Sequence, residues 1–136
     1  MISEEDFTKL PDIYADIERD RKRIDLMRSR LYSPKGLDTR DKVQSSGGAN
    51  MLAEIVIDLQ QKLDARVDVY EALKAEADDL IKSKLDDDTA LVMRLRYIEA
   101  ITWSEIAAIL DYSEATLYRY RRQALDKLFR EEQEHE

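Results

Sequence analysis

Apolar residues recur along this chain at intervals of three and four. They form two long runs with a glycine-containing break between them, followed by a region of short, capped segments. In the first run Ile13, Ile17, Ile24, Met27 and Leu31 make a heptad seam, with Asp20 as its one polar interruption. Pro11 fits the first turn of that helix, where a missing amide is tolerated, and Ser33-Pro34-Lys35-Gly36 is the expected stop. Leu37 to Asn50, which contains Ser45-Ser46-Gly47-Gly48, is expected to be a flexible connection.

Asn50 is the expected cap of a second long helix running from Met51 to about Lys84. Its seam is Leu52, Val56, Leu59, Leu63, Tyr70, Leu73, Ala77 and Leu80, interrupted by Arg66. At a rise of 1.5 Å per residue such a helix is roughly 50 Å long. It needs a helical partner, either the first helix folded back as an antiparallel hairpin or its counterpart in a second subunit. Heptads alone leave these two arrangements open.

After Asp86-Asp87-Asp88 the pattern changes scale. Consecutive aspartates on a helix point about 100° apart and do not converge on an ion, so the run is expected to be a hinge, with Asp88 capping a helix from Thr89 to about Ile98. Leu91, Val92, Leu95 and Ile98 are its expected buried face. Thr102 and Glu105 then have the T-x-x-E spacing of a capping box, so a helix begins at Trp103 and runs about two turns to Leu110. Ser113 is placed to cap another helix, with Glu114 at its positive end.

Two helices joined by a three-residue turn are the unit that lays a recognition helix in the major groove. Ala107 supplies a small residue where the helices approach, and Asp111 stands where the chain must turn with positive φ. Ile106, Leu110, Leu117 and Tyr120 are expected to fix the angle between the helices.

Composition narrows the classes. The 136 residues are 43% hydrophobic and 38% charged, with three glycines and two prolines, which suits an all-α protein with long helices. Cysteine is absent, which excludes disulfides, thiolate catalysis and cysteine-based zinc sites. No apolar run approaches the roughly 18 residues of a membrane helix, and the first residues are acidic rather than signal-like, so the expected location is the cytoplasm. His135 is the only histidine and sits in an acidic tail. With no nucleophile pattern or phosphate-cradling glycine loop, an enzyme, a metal site and a cofactor are not expected.

The formal net charge is −8, yet from Thr116 to Arg130 five basic residues face a single acid, Asp126. Such a local excess is the electrostatic footprint of a phosphate-binding surface, while the acidic remainder weakens non-specific attraction. A helix starting at Glu114 presents Glu114, Ala115, Thr116, Tyr118, Arg119 and Arg122 away from a Leu117-Tyr120-Ala124 packing face. Arg119 is the candidate for a guanine edge, because a guanidinium donates two parallel bonds to O6 and N7. Thr116 is a candidate for a base or phosphate, and Arg121, Arg122 and Lys127 for the phosphate backbone. Ser113 and Ala115 complete the expected DNA-binding set. Trp103, Tyr97 and Tyr112 are expected in the core.

The stretch Arg94-Leu95-Arg96-Tyr97-Ile98-Glu99-Ala100-Ile101-Thr102-Trp103-Ser104-Glu105-Ile106-Ala107, with Tyr112-Ser113 and Arg122-Gln123-Ala124-Leu125-Asp126-Lys127-Leu128, resembles the helix-turn-helix of sigma-factor region 4. More narrowly, through the Val43-Gln44-Ser45-Ser46 and Ile55-Val56-Ile57-Asp58-Leu59 stretches as well, the chain resembles small phage and prophage regulators of the ArpU/RinA type. Ala100 and Asp111 stand where that pattern commonly has glycine.

The resemblance implies a transcriptional regulator of phage late or packaging genes that binds double-stranded DNA. A homodimer through the long helices is the expected assembly, with RNA polymerase as a further partner. Two other classes fit the same layout: a DNA-packaging recognition subunit of the small-terminase kind, and a coiled-coil module that binds polymerase or another protein without reading DNA alone. The expected organisation is a long-helix region over 1–85 with a flexible linker at about 33–50, a helix-turn-helix domain over 86–130, and an acidic tail over 131–136.

Overall fold

The computed structural model describes residues 1–31 and 42–130, and among them there is no strand, as the all-α expectation has it. In chain order α1 spans Glu4–Leu31, α2 Lys42–Lys84, α3 Asp87–Met93, α4 Trp103–Leu110 and α5 Glu114–Phe129, and a π-helical turn, Arg94–Ile98, continues α3. The expected stop at Ser33-Pro34-Lys35-Gly36 and the tail over 131–136 lie outside the described residues.

α1 begins two turns earlier than Pro11 suggests. The Ser3 hydroxyl accepts the Asp6 amide at 3.1 Å and the Ser3 carbonyl accepts the Phe7 amide at 2.9 Å. Glu4, Glu5 and Asp6 then set negative charge at the positive end of the helix. Pro11 is therefore inside the helix, where its ring forfeits the bond to the Phe7 carbonyl. Phe7 and Leu10 are fully buried and hold the preceding turn in place despite that loss.

α2 begins at Lys42 rather than after Asn50, so Ser45-Ser46-Gly47-Gly48 is helical rather than a connection. Adding a residue to an existing helix gains a backbone bond without a new nucleus. Each glycine costs about 1 kcal/mol relative to alanine, which does not stop a helix of this length.

The chain divides into two compact units. One is Ala15–Val69; the other joins Met1–Tyr14 to the chain from Tyr70 onward. In the first, α1 and α2 run antiparallel within one chain: the Arg28 guanidinium donates to Gln60 Oε1 at 2.8 Å, and Asp20 pairs with Arg66 further along. Ile17, Ile24, Val56 and Leu63 are buried there, so the two heptad seams face each other inside the monomer.

In the second unit the N-terminal turns of α1 pack onto the C-terminal elements. The Phe7 ring lies 4.8 Å from Tyr97 and meets Phe129 edge-on at 5.5 Å, while Arg130 bonds Glu4 at 2.7 Å. These contacts are why the helix ends belong with the short-helix region rather than with the hairpin.

Two expectations for α3 are corrected. Its N-cap is Asp86, not Asp88: the Asp86 carboxylate accepts the Thr89 amide at 2.9 Å, and the hydroxyl and amide of Thr89 together hold that carboxyl below its ordinary pKa. Its buried face is Thr89, Val92, Met93 and Tyr97, with Leu95 and Ile98 half-buried and Leu91 46% exposed. The π-helical turn explains the shift. The Glu99 amide reaches back five residues to the Arg94 carbonyl at 2.9 Å, and this wider turn brings Tyr97, five residues after Val92, onto the inner side.

Candidate nucleic-acid interface

The helix-turn-helix is built as its spacing predicts. The Thr102 hydroxyl accepts the Glu105 amide at 3.2 Å, which is the threonine half of the capping box. α4 closes at Asp111, which adopts the left-handed conformation at φ 57° and ψ 44°. The amides of Asp111 and Tyr112 both turn back to the Ala107 carbonyl, the latter at 3.1 Å. Ser113 then caps α5: its hydroxyl accepts the Thr116 amide at 3.1 Å and pairs with the Thr116 hydroxyl at 2.9 Å. A second left-handed residue, Ala100 at φ 58°, turns the chain into α4.

Beneath the motif Val92, Ile106 and Leu117 form a closed core, flanked by Leu95, Ile101, Trp103, Ala107, Leu110 and Tyr120. Tyr112 stacks on Tyr120 at 5.8 Å, clamping the turn to α5. Trp103 sits edge-on to Tyr97 at 6.2 Å and carries the Arg96 guanidinium over its ring at 5.6 Å. Trp103 and Tyr97 therefore anchor the core as expected, while Tyr112 is at its margin, 37% exposed.

This core fixes which side of α5 faces out. Leu117, Ala124, Leu125 and Leu128 are buried on one side, Ala115, Arg119, Arg122 and Gln123 are exposed on the other, and Glu114 is exposed at the first turn. Among the described residues no ion pair engages Arg119 or Arg122. Residues 83–130 match the family model for sigma-70, region 4. The chain thus carries a sigma-70 region 4-like helix-turn-helix, of which α5 is the second helix. No characterised protein and no solved structure gives a match to the chain.

Measured on this sigma-region-4-like frame, the nine expected contact residues separate into groups. Ser113 and Thr116 are tied to each other at the cap, with Thr116 half-buried. Ala115, Arg119 and Arg122 share the outer face, and Glu114 is exposed at the first turn beside it. Tyr118 rests one side of its ring on Trp103, 5.8 Å away, and remains 47% exposed.

Two residues do not join that face. Arg121 is half-buried and its Nε donates to the Tyr97 hydroxyl at 2.9 Å, because it falls on the inner edge of α5. Lys127 is exposed near the other end of the helix, close enough to Asp86 to lower that carboxyl's pKa further. The expected basic excess is also reduced at Arg130, which bonds Asp126 at 2.6 Å as well as Glu4. Gln123, one turn beyond Arg119 on the outer face, is not among the expected contacts; its i+4 spacing from Arg119 is the signal that points to it.

Among the described residues no helix is long and apolar enough to cross a membrane, and no group of three or more His, Asp or Glu residues is placed to hold a metal ion.

Proposed function

We propose that this protein is a sequence-specific regulator of transcription that reads double-stranded DNA with the N-terminal half of α5, and that its targets are phage or prophage genes. The observation that carries the reading is the outer face of α5: Arg119 and Arg122 are exposed one turn apart, without ion-pair partners among the described residues, on the second helix of a helix-turn-helix that matches sigma-70 region 4. The phage context rests on the resemblance to ArpU/RinA-type regulators alone.

In this reading Arg119 takes a guanine edge through two parallel bonds, Arg122 and the Ser113–Thr116 cap hold phosphates, and Ala115 and Tyr118 offer apolar surface to a thymine methyl. Glu114 stabilises the positive end of α5. The protein acts as a homodimer, so that two recognition helices engage paired half-sites, and RNA polymerase is the partner at the promoter.

The test is to recover sheared genomic DNA of the source on the purified protein at about physiological salt and sequence it. One shared motif, lost in Arg119→Ala and lying beside a promoter, is the expected result. A motif at a packaging site identifies a small-terminase-like subunit instead. No enrichment above background overturns DNA reading and leaves a protein-binding module.

A further inference from the structure

The heptad seam of α2 is buried within the monomer, at Val56 and Leu63 in the hairpin and at Tyr70, Ala77 and Leu80 in the other unit, but α2 carries a second seam. Met51, Ile55, Asp58, Lys62, Ala65 and Val69 recur at intervals of 4, 3, 4, 3 and 4, one residue before the first seam at every step and so about 100° round the helix. All six are exposed, including large apolar side chains: Met51 is 64%, Ile55 42% and Val69 62% exposed. Lys62 and Ala65 also line a groove of about 470 Å³ in the hairpin, together with Leu59, Ile24, Arg23 and the Asp20–Arg66 pair. Leu26, one turn along α1 from Arg23, is likewise exposed. Apolar residues repeated along one helix face and left in water are the mark of an association surface.

We propose that this stripe is the face through which two copies of the chain associate, with their α2 helices antiparallel about a two-fold axis at Gln60. The stripe is complementary to itself in that register and commits the occupant to a second copy. Met51 meets the partner's Val69, Ile55 meets the partner's Ala65, and Asp58 meets the partner's Lys62; the two-fold axis repeats each pairing. Large faces small at Ile55 and Ala65, where the groove beside Ala65 receives the incoming isoleucine.

Asp58 and Lys62 already pair within one chain at 2.9 Å, and the dimer closes them into a square of alternating charges at its centre. Every layer joins the two alternating position types of the 4-3 repeat, as antiparallel coiled-coil layers do. The proposal deepens the homodimer in the reading above. It does not depend on α5 touching DNA.

The experiment is sedimentation equilibrium of the full chain without DNA, so that a failure of DNA reading and a failure of this surface are separate results. Wild type is expected at twice the monomer mass. Asp58→Lys and Lys62→Asp each gather four like charges at the axis and are expected to weaken self-association at least tenfold, with circular dichroism confirming that the helices are intact. Mixing the two variants is expected to restore a dimer, as is the double reversal in one chain.

The chain has no cysteine, so register is read directly. Ile55→Cys mixed with Ala65→Cys is expected to form a disulfide-linked dimer, whereas Ile55→Cys alone, with its two copies about 15 Å apart along the axis, is not. A monomeric wild type overturns the proposal, as does a dimer indifferent to both single reversals or a disulfide-linked dimer of Ile55→Cys alone.

Discussion

Asp20 and Arg66, the polar interruptions of two otherwise apolar seams, pair with each other across the hairpin. Each alone looks like a flaw in a heptad. Together they set register, because a slip by one turn leaves both charges facing aliphatic side chains. Asp20 keeps 24% of its side-chain surface in water and Arg66 50%, so solvent screens the pair and its contribution to stability is at most about 1 kcal/mol.

Replacing both residues should therefore stabilise the hairpin. In Asp20→Leu/Arg66→Leu the seam becomes continuous, and urea unfolding followed by circular dichroism is expected to show a gain of about 1–2 kcal/mol. Asp20→Leu alone, which leaves Arg66 unpaired beside the groove, is expected to gain less than the double variant. A double variant less stable than wild type contradicts this account of the pair.

Two non-glycine residues occupy left-handed backbone in and before the motif, Ala100 at φ 58° and Asp111 at φ 57°. A Cβ in that region is strained, and alanine lacks the polar side chain that eases aspartate into it. Ala100→Gly is expected to stabilise the protein by about 1 kcal/mol and Asp111→Gly by less, after the greater freedom of glycine in the unfolded chain is counted. Thermal melting of both variants checks the order. A lower melting temperature for Ala100→Gly contradicts it.

Much of this was legible in the sequence because it is local. The cap at Thr102, the left-handed Asp111 and the cap at Ser113 are set by residues within a few positions of their partners, and each forms where its spacing places it. The seams were legible for the same reason, since a period needs only its own helix. Partners far apart in the chain were not. Phe7 lies some ninety residues before Tyr97, and nothing in its neighbourhood announces that contact. Charge alone assigns Arg121 outward, but its angular position on α5 and the Tyr97 hydroxyl turn it inward. The π-helical turn that shifts Tyr97 onto the core side has no period of its own to be read.

That distant contact predicts a strong dependence of the helix-turn-helix unit on the first residues of the chain. Phe7 is fully buried against Tyr97 and Phe129, so Phe7→Ala removes a large side chain from a closed core. A loss of about 3–5 kcal/mol in urea unfolding is expected. Phe7→Leu, which keeps most of the volume, is expected to lose less than half as much.

Alkaline stability should depend on Tyr70. Burial, reinforced by the nearby Glu71, Tyr14 and Glu99, pushes its phenol from 10.0 up to about 12. The folded state thus favours the protonated phenol more than the unfolded state does. That contribution is complete below pH 10 and is lost as the pH rises through 12, on the order of 2 kcal/mol in all. Tyr70→Phe cannot ionise, and its stability is expected to fall less between pH 10 and 12 than that of wild type. Equal slopes of unfolding free energy against pH in that window contradict the assignment.

Arg121 and Arg122 are neighbours in sequence with opposite surroundings, and this separates packing from DNA contact. Arg121 donates its Nε to the Tyr97 hydroxyl, whereas Arg122 is exposed on the outer face. If α5 binds a duplex through that outer face, Arg122→Ala removes one phosphate contact. The slope of log affinity against log salt should then fall by about 1 while base preference stays as it was. Arg121→Ala should leave the salt slope unchanged and cost about 1 kcal/mol of folding stability through the lost bond to Tyr97. Tyr97→Phe, which removes the same bond from the other side, should show the same stability loss and the same unaltered slope. Equal salt slopes for wild type and Arg122→Ala would remove Arg122 from the phosphate contacts, and a slope reduced by Arg121→Ala but not by Tyr97→Phe would place a phosphate contact on the inner edge of α5 and overturn the outer-face reading.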